Sequence, residues 1–88
     1  LEEFPCLRLA LEAAAAGGSA CVVLNGANDA VVHGYLQGQV PFGEIPRVIA
    51  EVLEQHAPIE HPTLDDILAA DAWSRKTATE LILQWSPR

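Results

Sequence analysis

Three clusters of turn-forming residues constrain this chain more than any other feature. Gly17-Gly18-Ser19, Gln37-Gly38 and the pair Pro58 and Pro62 cut it into four apolar segments. Glycine adopts the backbone conformations that end helices, and proline cannot continue one. Only Cys21-Val22-Val23-Leu24 reads locally as a strand. A lone run of that length has no partner with which to form a sheet. The run is therefore expected as an extended entry or an early piece of helix. Segments of helical length on short connections predict an all-α fold, a small antiparallel bundle of four to five helices. The 88 residues are expected to form a single helical domain.

The first segment runs from about Phe4 to Ala16, with Pro5 in its first turn, where a missing N–H costs little. In the second, Asn25 is expected as the N-cap, its side chain accepting from the N–H of Ala27 or Asn28. Asp29 then falls in the first turn, where its charge meets the positive end of the helix dipole. Ala27, Ala30, Val31, Gly34 and Tyr35 form a narrow face of small residues, suited to close approach by another helix. The third segment carries the clearest amphipathic pattern: Ile45, Val48, Ile49, Val52 and Leu53, with Gly43 as a plausible cap and Pro46 in the first turn. The fourth opens with Thr63 as N-cap and Asp66 three residues on, a capping box with Asp in place of Glu. Asp71 can cap again, which would split this segment before Ala72. Trp73, Thr77, Leu81 and Trp85 recur every four residues, and Asp71 and Arg75 stand as an i,i+4 pair.

Charge and composition exclude several functions. The formal charge of −7 repels phosphates and anionic lipid, so neither nucleic acid nor membrane is expected as a partner. No apolar run approaches the roughly 20 residues of a membrane helix. The start has no basic n-region, so no signal peptide is expected, and Leu1 in place of Met suggests an excised chain. Two cysteines, Cys6 and Cys21, are expected as reduced thiols of a cytoplasmic protein, with a single Cys6–Cys21 bridge as the lesser outcome and Cys21 buried and inert.

Catalytic constellations are not visible in the residues. His33, His56 and His61 are the only histidines, and the five-residue offset across "APIE" fits exposed loop positions better than a zinc pair. Asp65-Asp66 and Glu2-Glu3 are explained by helix starts. Neither phosphate-binding glycine motif is present, and "DAWS" does not supply the Asp-Ser-Leu of acyl carrier proteins. No catalytic, cofactor-binding or metal residue is assigned. The residues singled out, Pro5, Asn25, Asn28, Asp29, Thr63 and Asp71, are assigned structural roles.

The ordered set of motifs resembles the C-terminal domain of the 1-deoxy-D-xylulose 5-phosphate reductoisomerase family. It comprises Phe4-Pro5-Cys6-Leu7-Arg8-Leu9-Ala10, Leu24-Asn25-Gly26-Ala27-Asn28-Asp29, Tyr35-Leu36 and Phe42-Gly43-Glu44-Ile45-Pro46. Asp65-Asp66-Ile67-Leu68 and Asp71-Ala72-Trp73-Ser74-Arg75 close it. Two positions depart from the family pattern. Gly26 replaces alanine and Asp29 replaces glutamate, both expected in the first turn of the second helix. Gly26 should weaken that helix by up to roughly 1 kcal/mol. The resemblance implies an enzyme that forms 2-C-methyl-D-erythritol 4-phosphate with NADPH and magnesium or manganese, in non-mevalonate isoprenoid synthesis. It implies that cofactor, metal and any homodimer contacts belong to other domains. This chain would brace the catalytic domain as its partner, inactive by itself. The alternative, from the residues alone, is a free-standing helical protein-interaction module.

Overall fold

The computed structural model describes residues 9–13 and 17–85. Residues 9–13 are helical and lead to the Gly17-Gly18 turn. Three longer helices follow: α1 (Ala20–Leu36), α2 (Ile45–Gln55) and α3 (Leu64–Gln84). A single 3₁₀ turn, Phe42–Glu44, leads into α2. No strand occurs among the described residues, in agreement with the all-α expectation. Pro5 lies outside the described residues.

α1 begins five residues before Asn25. Ala20, Val23, Ala27 and Val31 are buried at helical spacing, so one apolar face runs from the first residue into the middle of the helix. Burial of that face outweighs the local strand preference of two adjacent valines. Ser19 is the N-cap residue, and its side chain makes no cap bond. Asn25 and Asn28 are exposed positions inside the helix, and Asp29 is likewise interior, so none of the three acts at a helix start. The far end closes in a Schellman turn. Gln39 N–H donates to the Gly34 carbonyl at 2.9 Å and Gly38 N–H to Tyr35 at 3.0 Å, with Gly38 at φ +74°.

In α2 the predicted stripe is the observed one. Ile45, Val48, Ile49 and Val52 are buried, Leu53 flanks them, and Pro46 sits in the first turn. Glu44, not Gly43, is the N-cap residue, because the 3₁₀ turn takes up Gly43.

α3 is one continuous helix. Asp71 lies inside it and caps nothing. Thr63 opens it with a complete capping box: Thr63 Oγ1 accepts from Asp66 N–H at 3.1 Å, and Thr63 N–H donates to Asp66 Oδ2 at 2.9 Å. Replacing Thr63 with Ala is expected to lower stability by about 1 kcal/mol. A thermal melt would read this as a midpoint lower by about 4–8 °C.

Consecutive helices run antiparallel, which brings α1 and α3 side by side in the same direction. Gly26 faces Ser74, and Gly34 faces Ile82. The buried row of α3 is Ala70, Ser74, Ala78 and Ile82. The row Trp73, Thr77, Leu81 and Trp85 lies one position away, with Trp73 and Trp85 packed half-buried at the edges of the core. Small residues on both helices explain the choice, since two small faces let the backbones come close.

Candidate functional site

Two clusters of polar side chains link separate elements among the described residues, one tying the start of α1 to the α2–α3 loop and one joining α1 to α3. The first is built where the Gly17-Gly18 turn meets the loop between α2 and α3. Gly18 sits at φ +56° directly against the Ile59 carbonyl, so the loop backbone lies on the turn. Ser19 N–H donates to the Ile59 carbonyl at 3.0 Å, and Ile59 N–H donates back to Ser19 Oγ at 2.8 Å. Ser19 Oγ also pairs with His56 Nε2 at 2.8 Å. Ser19 is 0% exposed. The His56 ring packs on Trp73, with centroids 5.6 Å apart and planes at 35°. Burial holds His56 below its ordinary pKa. His56 is therefore a half-buried, bonded residue, not the solvent-exposed loop histidine expected from sequence.

A serine within hydrogen-bond distance of a histidine raises the question of nucleophilic catalysis. Such chemistry needs an accessible hydroxyl and a third group that orients the base. Here the hydroxyl is sealed in, and one of its lone pairs is taken by a backbone N–H. No described residue hydrogen-bonds the other His56 nitrogen. The cluster is built to hold a loop.

The second cluster joins α1 to α3. Arg75 Nε donates to both carboxylate oxygens of Asp71 at 3.1 Å, and its Nη2 donates to Asp29 Oδ2 at 3.1 Å. The hydrogen bond that Arg75 donates to Asp71, then the one it donates to Asp29, pushes the Arg75 pKa up. Asp29 thus serves as a cross-helix partner of Arg75, not as a dipole charge, and Asp71 serves as the within-helix partner. Beside this clamp, Ser74 Oγ donates to the Asp71 carbonyl at 2.8 Å.

The remaining candidates do not converge. Asn25 and Asn28 are on the solvent side of α1. Cys21 is a free thiol and is exposed, contrary to the buried position expected. An apolar stripe of α1 that starts at Ala20 turns Cys21 outward. His33 and His61 are also exposed. No group of three His, Cys, Asp or Glu among the described residues could hold a metal ion. Sequence reasoning missed Ser19 and His56 as a pair. The available signal was Ser19 itself, a small polar residue between a double glycine and an apolar helix start.

Against known proteins, the family model described as DXP reductoisomerase C-terminal domain matches residues 1–77. A protein named 1-deoxy-D-xylulose 5-phosphate reductoisomerase from Shouchella clausii is 50% identical over 76 residues, covering 86% of this chain and 20% of that protein. The protein of the same name from Nitrosospira multiformis is 48% identical over 79 residues, 90% of this chain and 20% of its own length. That from Desulfosudis oleivorans is 46% identical over 82 residues, 93% and 21% respectively. The chain spans about a fifth of the length of the curated relatives it matches. No solved structure matches it.

Proposed function

The chain belongs to the DXP reductoisomerase C-terminal domain family, and from that premise we propose that it is the helical domain bracing the catalytic part of a 1-deoxy-D-xylulose 5-phosphate reductoisomerase. The 88 residues act as one helical unit with no turnover of their own. The parent enzyme forms 2-C-methyl-D-erythritol 4-phosphate with NADPH and magnesium or manganese, in the cytoplasm. Among the described residues, no group of three His, Cys, Asp or Glu could hold the metal. The two carboxylates that face one another, Asp29 and Asp71, are both engaged by Arg75, and no glycine-rich phosphate loop is present. Cofactor, metal and any homodimer contacts then belong to other domains, and no catalytic step is assigned here.

The observation that carries this reading is the 50% identity over 86% of the chain. The polar clusters support it, since both tie elements of the bundle to one another. An apolar end supports it too: Leu36 is 72% exposed, Phe42 is 69% exposed, and Tyr35 meets Phe42 edge-on at 5.5 Å. Exposed apolar side chains of this kind suit burial against the rest of an enzyme. The free-standing interaction module has no observation of its own.

The expected result in source cells is an immunoblot band several times heavier than 9.4 kDa. The purified 88-residue chain is expected to oxidise no NADPH with 1-deoxy-D-xylulose 5-phosphate. A band only at 9.4 kDa, or turnover by the chain alone, overturns the reading.

A further inference from the structure

The cluster at the Gly17-Gly18 turn has a property that a plain packing contact lacks: it is complete in only one protonation state. We propose that Ser19 and His56 form a proton-operated latch, which holds the 56–62 loop on the start of α1 and releases it when the imidazole is protonated. This is independent of the reading of the parent enzyme.

The argument is a count of hydrogens. A serine hydroxyl offers one hydrogen and two lone pairs. Ile59 N–H occupies one lone pair. With His56 neutral and its hydrogen on Nδ1, the Ser19 hydroxyl hydrogen points at Nε2, and Ser19 Oγ both donates and accepts. A protonated imidazole is a donor at both nitrogens. Its Nε2–H then meets the hydroxyl hydrogen, which must turn away. Ser19 Oγ is fully buried and has no other acceptor among the described residues. A buried donor without a partner is costly, so the loop lifts to let water in.

The charges around the ring do not substitute for that acceptor. Glu12 and Glu54 line the hollow on one side of His56, together with Leu53 and Pro58. Asp66 lines the other side with Gln55 and Trp73, and its carboxylate is engaged by Thr63 N–H. Glu60 and His61 lie in the loop itself and are exposed. The Trp73 face favours a charged ring, yet the shift of His56 is downward from 6.5, and burial is its cause. The sign follows. The folded state binds fewer protons than the unfolded chain between the depressed value and 6.5. The latch is closed above that window and is lost as pH falls through it.

The test is hydrogen exchange of the 57–62 backbone in the full-length protein between pH 7.5 and 5, corrected for intrinsic exchange. The His56 titration is followed in the same samples by NMR of labelled histidine. Pro58 and Pro62 carry no N–H, so Ile59 dominates the protected signal. Its protection is expected to fall about tenfold, the worth of one buried hydrogen bond. The midpoint should be that of His56, with the amides of α2 unchanged. In His56→Gln, whose amide oxygen can accept from the Ser19 hydroxyl without titrating, the profile should be flat. A flat profile in the parent, a midpoint away from that of His56, or the same fall in His56→Gln overturns the proposal. If His56→Gln fails to fold, coincidence of the two midpoints in the unmodified protein decides.

Discussion

Replacing Gly18 with alanine should cost the protein about 2–4 kcal/mol, the sum of a left-handed backbone penalty and a steric one. At φ +56° an L side chain is already strained. The added Cβ would also collide with the Ile59 carbonyl oxygen, 2.8 Å from the carbonyl carbon and 3.1 Å from Glu60 Cα. These are backbone atoms, so no side chain can rotate away. The loop must retract, and retraction breaks both hydrogen bonds between Ser19 and Ile59. Gly17→Ala is the control. Gly17 has φ +72° but open space around the new Cβ, so only the backbone penalty of about 1–2 kcal/mol applies. Denaturant unfolding of the two variants side by side separates the terms. Equal losses would show that the loop contact contributes nothing.

Gly26→Ala is the second large effect, and its sign opposes helix propensity. In an exposed helix the change would stabilise by about 1 kcal/mol. Here the new Cβ would overlap Ser74 Oγ and come within 3.1 Å of Asp71 Oδ1 and 3.2 Å of the Asp71 carbonyl. Ser74 Oγ is buried and donates to that carbonyl at 2.8 Å. Overpacking of this kind costs about 1–3 kcal/mol. Ser74→Ala should be close to neutral alone, since it removes a local bond to its own helix. Combined with Gly26→Ala, it opens the needed space, and the double variant should recover most of the loss. The informative quantity is the coupling between the two positions, measured as a double-mutant cycle in urea. Additive costs would mean that the two helices do not meet at these residues.

Gly26 also explains a departure from the family pattern. Where alanine is usual, glycine would read as a weak helix start. The structure places it in the interior of α1, opposite Ser74, where the missing methyl lets two backbones approach. Asp29, in place of glutamate, reaches Arg75 across the same contact at 3.1 Å.

What the sequence determined by itself is what depends on neighbours in the chain. Breakers at Gly17-Gly18, Gly38 and Pro58 to Pro62 set the segments. The stripe of α2, the Thr63 capping box and the Asp71–Arg75 pair all lie within four residues of their partners, and each was legible. The ordered motifs carried the family as well. Four features were decided only by tertiary structure: the start of α1 at Ala20, the continuity of α3 through Asp71, the Ser19–His56 pair and the Asp29–Arg75 clamp. Local capping preferences are worth about 1 kcal/mol. Burying Ala20, Val23 and Ala70 in a shared core outweighs them, so helix ends moved to where apolar faces could be covered. The two clusters pair residues 37 and 46 positions apart. No local pattern encodes such meetings, because the first exists only once the end of α2 returns to the start of α1, and the second only once α1 and α3 lie side by side.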